Sequence, residues 1–150
     1  MKTLFLFVLL SVGATTVTFG QSKGLDSKAG QAISKLIDSY AQARETQDTL
    51  LLKSILTTDI DQLVSTGEWR EGIEGSMAGM VRSTESNAGG SRTLKVEKVR
   101  FIGSKSAIAD ARYVIVNADG VRREMWSTFV VVNVKGKWEI TAIRNMLPAR

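Results

Sequence analysis

Apolar positions change their period once along this chain, dividing it into a helical first half and a stranded second half. After a polar lead-in over residues 21–28 (QSKGLDSK), Ala29, Ala32, Ile33, Leu36, Ile37, Tyr40, Ala41 and Ala43 recur at three- and four-residue steps. That spacing gathers apolar side chains on one helical face. Lys35, Asp38, Gln42 and Arg44 fall outside the stripe and are expected in solvent. Asp26 or Ser27 stands where an N-cap is needed. Residues 46–48 break the pattern, and Asp48 is placed to open a short second helix carrying Leu51, Leu52, Ile55 and Leu56. Residues 57–61 end that helix, and residues 60–66 predict a short strand leading to Gly67, Glu68 and Trp69. A weaker helix follows over residues 71–83, with Ile73, Met77, Met80 and Val81 on one face. Gly72, Gly75 and Gly79 each lower its stability by about 1 kcal/mol relative to alanine. The segment SNAGGS, residues 86–91, reads as a flexible loop.

From Arg92 the period is two. Leu94, Val96, Val99 and Phe101 begin the first long strand, and residues 107–117, 121–134 and 137–146 predict three more. Asp119-Gly120 and Lys135-Gly136 sit at the joins, and Asp-Gly is a strong hairpin signal. The segments YVIV and MWSTFVVVNV are apolar on both parities, so both faces of the sheet require cover. Three helices cover one face. The other is left to a second subunit or a ligand, and a two-fold homodimer with facing sheets is expected.

The first residues belong to neither half. Lys2 supplies a positive start, residues 4–10 (LFLFVLL) form an apolar run, and Thr18 and Gly20 suit cleavage before Gln21. Residues 1–20 are therefore expected to be a signal peptide, since a membrane span needs about 20 apolar residues. Export to a periplasm or the extracellular space follows, with no membrane attachment after cleavage.

Composition narrows the chemistry. The 150 residues include no His, no Cys and one Pro, with 20 Lys+Arg against 15 Asp+Glu. Ser-His-Asp triads, His-ligated zinc, thiol catalysis and disulfides are excluded together. No metal site and no cofactor are expected, because Gly72, Gly75 and Gly79 lack the spacing and the strand–turn–helix setting of a dinucleotide fingerprint. Arg92, Lys95, Lys98, Arg100 and Lys105 crowd one region, but with Phe101 as the sole aromatic they read as a solvated strand face, not a nucleic-acid surface.

Helices followed by a long antiparallel meander make an α+β layout. The runs TTDIDQLVSTGEWREGIEGSMAGM and MWSTFVVVNVKGKWEITAIRNMLP resemble the SnoaL-like members of the nuclear transport factor 2-like superfamily. The nearest likeness is to the exported and enediyne-cluster type called the SgcJ/EcaC family. Asp48, Asp59, Asp61, Gly67-x-Trp69 with Gly72, Phe129-Val130, Gly136-x-Trp138-x-Ile140 and Asn145 carry the resemblance, which covers residues 29–148. It implies a cone-shaped, cystatin-like roll: a strongly curved antiparallel sheet wrapped around three helices, open at one end, usually a homodimer through the sheet.

Such a cone holds a cavity, and Tyr40, Val64, Trp69, Arg112, Trp126 and Asn145 are the candidates to line it. Tyr40 lies on the buried stripe of the first helix, as a core tyrosine or a pocket group. Trp69 is a core cap or a pocket wall, and Trp126 a pocket or dimer wall. Trp138 reads as structural. Arg112, amid apolar neighbours, is either paired to Glu124 or Glu139 or anchors a ligand carboxylate. Asn145 is a candidate for the mouth, and Asp59 and Asp61 for the turn. By resemblance to the ketosteroid isomerases, Tyr40 falls on the oxyanion tyrosine and Val64 on the catalytic base. Valine takes no proton, and histidine-dependent dehydratase chemistry has no histidine to use. The expectation is an exported domain that binds a small, mainly apolar molecule, carrying a carboxylate in one version, with catalysis disfavoured. The alternatives are a cofactor-independent isomerase, cyclase or lyase (some relatives carry an oxidoreductase label), or a dimerisation module.

Overall fold

The computed structural model describes residues 24–148, so the expected leader and its cleavage point before Gln21 lie outside the described residues. Helix α1, Lys28–Thr46, begins where Ser27 Oγ accepts a hydrogen bond from the Gly30 amide at 3.0 Å, and stops at Gln47 in a left-handed conformation (φ 54°). Asp48 caps α2, Thr49–Ile55, by accepting from the Leu51 amide at 2.9 Å. These side chains take up amide groups that the first helical turn leaves unpaired.

Strand β1, Leu56–Leu63, continues directly from α2, and β2, Trp69–Glu71, turns back beside it. Helix α3, Gly72–Glu85, leads to the long meander β3, Ser91–Phe101; β4, Ser106–Val116; β5, Arg122–Val134; and β6, Lys137–Met146. The sheet order is β2-β1-β6-β5-β4-β3. All neighbours are antiparallel except β1 and β6, which run parallel. The sheet is thus mixed, a correction to the wholly antiparallel expectation. With β1 joined to α2 without a turn, its direction follows from α2, and the rest of the chain supplies the long crossover that a parallel pair requires. The boundary of β1 also moves earlier than residues 60–66. Leu56 pairs with Ile140 but Asp61 with Ala142, so residues 57–59 bulge out and blur the alternation.

Two further register shifts, between Val96 and Lys98 and between Val130 and Val131, add curvature. The first explains why Val96 and Val99, three residues apart, are both buried. On β4 the alternation is complete: Ala107, Ala109, Ala111, Tyr113 and Ile115 face inward, while Ile108, Asp110, Arg112 and Val114 face outward. Ala107, Ala109 and Ala111 stand at alternate positions on the inner face, and on β5 Phe129 meets Tyr40 of α1 edge-on at 5.5 Å between ring centres. Ile33, Ile37, Leu52, Ile60, Phe129 and Ile140 complete a core with almost no exposure, each side chain contributing roughly 1.5–3 kcal/mol. Trp138 packs against Phe101 at 6.2 Å, in the structural role expected.

At the edges, β2 is three residues long and β3 carries exposed Lys95, Lys98 and Arg100. Short length and lysine both deter pairing with foreign strands, while Arg92 of the same basic region is half-buried and donates to the Ser83 carbonyl.

Candidate functional site

The helices do not cover the whole concave face. Beyond the alanines of β4, Tyr113, Ile115 and Met125 form a small apolar cluster apart from the main core. A cavity of about 360 Å³ opens there, closed on its other sides by the β1–β2 turn and by α3. Val64 and Asn145 line it, and Tyr40 lies just beneath its floor, in a crevice shared by Arg44 and Gln62. Ser127 Oγ donates to Asn145 Oδ1 at 2.7 Å, which fixes the amide and leaves its nitrogen to donate elsewhere.

The other three candidates stand on the convex face. Arg112 pairs with Glu97 at 3.6 Å, in place of the Glu124 or Glu139 expected, and its guanidinium lies 4.0 Å from the centre of the Trp126 ring. The two are directly opposed on β4 and β5, where a cation over an indole face is favourable. Trp69 pairs across from Leu63 and is 52% exposed, with the Arg144 guanidinium 4.8 Å from its ring centre. Arg144 is held in turn by a two-pronged pair to Asp61, at 2.8 and 3.0 Å. Neither tryptophan nor Arg112 lines the cavity, because each falls on the outward parity of its strand. Asp61 joins β1 to β6 and does not serve a helix-to-strand turn.

What lines the floor instead is Arg44, a residue expected in solvent. It is only 6% exposed. One guanidinium nitrogen donates to the Tyr40 hydroxyl at 2.9 Å and the other to Ser83 Oγ at 2.7 Å, while Nε has no partner. No carboxylate forms an ion pair with it among the described residues. Burial is the largest influence on its pKa and opposes the charge; the Tyr40 and Tyr113 oxygens outweigh it, and the value lies above that of an ordinary arginine. Arg44 follows Tyr40 by four residues and Ile37 by seven, so helical geometry places it on the buried stripe. That arithmetic was available in the sequence; the charge concealed it.

Gln62, inward-facing on β1 and 3% exposed, also has an amide nitrogen without a partner, as does the Ser76 hydroxyl of α3. At the mouth, Glu68 accepts from Arg70 at 3.2 Å and from Arg82 at 2.6 Å. Hydrogen bonding to Arg70, then its charge, with the Arg82 contact added, holds the Glu68 carboxyl below the usual value. Arg123 of β5 also lines the cavity. Arg70 reaches Glu68 across α3 because Gly79 leaves room: a Cβ there would overlap Arg70 Cδ, Nε and Cζ. The arrangement offers unpaired donors on the floor, an apolar wall, and a positive surplus throughout.

An open cone of three helices on a curved mixed sheet is the cystatin-like, nuclear transport factor 2-like fold, and solved structures bear this out. A domain of unknown function with a cystatin-like fold from Nostoc punctiforme superposes with a TM-score of 0.73 at 16% identity, over 83% of this chain and 80% of that one. A nuclear transport factor 2-like protein of unknown function from Shewanella oneidensis gives 0.66 at 14% identity, over 79% and 98%. A candidate ketosteroid isomerase from Shewanella frigidimarina gives 0.67 at 17% identity, over 81% and 97%. No protein-family profile matches the chain, and no curated protein matches it in sequence.

Proposed function

We propose that this chain is an exported, dimeric cone-fold domain of the SnoaL-like kind, nearest to the SgcJ/EcaC pattern, that binds a small, mainly apolar molecule in its cavity. The observation that carries the reading is the uncovered end of the concave face. Tyr113, Ile115 and Met125 wall a cavity of about 360 Å³ while polar groups on its floor lack partners. An apolar wall of Val64, Tyr113, Ile115 and Met125 beside a larger polar lining suits a small amphiphilic ligand. Binding without turnover fits the acid–base inventory. Val64 stands where an isomerase would hold its base, and the lining carboxylate, Glu68, is held by two arginines in a state that resists taking a proton. Isomerase chemistry is the second reading, favoured by the Shewanella frigidimarina neighbour and by Tyr40 beneath the floor.

Two methionines on opposite faces provide the test. Met125 lines the cavity, and Met146 lies at the convex face beside Trp126. Titration with naphthalene-sized ring compounds is expected to shift the Met125 methyl resonance and leave Met146 in place, and Val64→Phe, which fills the lining, is expected to abolish the shift. Perturbation at Met146 alone would move the binding site to the other face. Turnover of a ketosteroid would establish the second reading.

A further inference from the structure

Resting on the cavity as a ligand site, we infer that its ligand is a monocarboxylate, seated with its acid group on Arg44 and Gln62 and its apolar body against Tyr113, Ile115 and Met125. Arg44 is more than nine-tenths buried, carries a full positive charge, and gives two of its five N–H groups to neutral hydroxyls. Arg44 and Gln62 both line the cavity; each terminal nitrogen of Arg44 keeps a second N–H, while Arg44 Nε and the Gln62 amide nitrogen lie enclosed without partners. A guanidinium with N–H groups to spare and no counter-charge matches one carboxylate. Arg70 and Arg82 do not compete for it, because Glu68 already occupies them. Glu68 shows how this chain seats a carboxylate beside arginines, and Arg44 has no such partner among the described residues. Arg123 on the lining adds a charge that draws anions inward.

The apolar cluster sets the other half of the ligand. Tyr113, Ile115 and Met125 form one apolar cluster on the lining of the same cavity. A small hydrophilic acid would leave that wall wet. An amphiphile of the naphthoate or octanoate type covers it.

The experiment compares naphthoate with naphthamide, and octanoate with octanamide, by calorimetric titration and by the Met125 methyl resonance. In the wild-type protein each acid is expected to bind at least about tenfold more tightly than its amide, the low end for a hydrogen bond to a charged group. Arg44→Met and Gln62→Leu are expected to reduce that ratio, the first to about one. Arg112→Ala, on the convex face, is expected to leave it unchanged. Equal affinity for acid and amide in the wild type, or an acid preference that survives Arg44→Met, would overturn the anion seat and leave the cavity reading intact. If neither member of either pair binds and Met125 is silent, both readings fall. Should Arg44→Met not fold, Gln62→Leu and the wild-type acid-to-amide ratio decide the matter alone.

Discussion

Arg44 sits on the core side of α1 with two neutral partners and a bare Nε. Taking a guanidinium out of water is unfavourable by several kcal/mol unless a counter-charge or full hydrogen bonding offsets it. Here the offset is partial, so the residue is not explained by stability. Arg44→Met keeps the volume and leaves no buried charge behind, at the loss of donors to Tyr40 and Ser83. Its urea-unfolding stability is expected to stay within about 1 kcal/mol of wild type or to exceed it, as when buried ionic groups elsewhere are replaced by well-packed apolar ones. A loss beyond about 3 kcal/mol would make the guanidinium a structural post. Residue by residue, the sequence disclosed parity and period but not which face mattered. Val64 and Asn145 line the cavity, and Tyr40 takes the core-tyrosine option, its hydroxyl accepting from Arg44 beneath the floor. Arg112, Trp69 and Trp126 were drawn to the site by chemical type, while strand alternation carried them outward. Arg44 was lost for the opposite reason: a charged residue on an apolar stripe reads as its edge until the packing is seen.

Among the elements, α3 combines weak helical propensity with a positional need. Gly75 and Gly79 are four residues apart, so they share the face over which Arg70 passes. Gly79→Ala strengthens the helix by about 1 kcal/mol intrinsically, yet it evicts the Arg70 side chain and so removes the main support of the Glu68 carboxylate. The Glu68 titration midpoint, followed by carboxyl-carbon resonance, is expected to rise toward the ordinary glutamate value in Gly79→Ala. An unmoved midpoint would show that Arg82 alone holds it. The sign for stability follows. A carboxyl whose pKa is lowered by folding stabilises the fold above its unfolded pKa, and that contribution fades as pH falls through the lowered folded value. The share of any stability difference due to Glu68 therefore vanishes in acid. Periodicity located these elements well because it is local: β6 matches its expected bounds, and β3 to β5 lie within a residue of theirs. It missed β2, which has three residues, and the parallel pairing of β1, since nothing local records the direction of a partner some eighty positions away.

For the molecule as a whole, the convex face is the unsettled surface. Ile108, Val114, Trp126, Val130 and Val132 remain half-buried in the single chain, on the parity that needed cover from the outset. A second copy placed sheet to sheet would supply it, burying a patch too apolar to stand comfortably in water. Protein recovered from the exported fraction is expected to begin near Gln21 and to scatter light as a dimer at micromolar concentration, with Val130→Glu yielding monomers. A wild-type monomer contradicts the dimer, and an intact Met1 in the membrane fraction contradicts export. The parallel ladder between β1 and β6 also orders events in time. Hairpins β3 to β6 close over short turns, whereas Asp61 and Arg144 meet across 83 positions of chain, and wider loops cost more entropy to close. Slow, non-local contacts of this kind are made late in folding. The strand that carries Gln62 is thus expected to dock after the meander has formed, making the cavity floor the last part of the cone to be assembled.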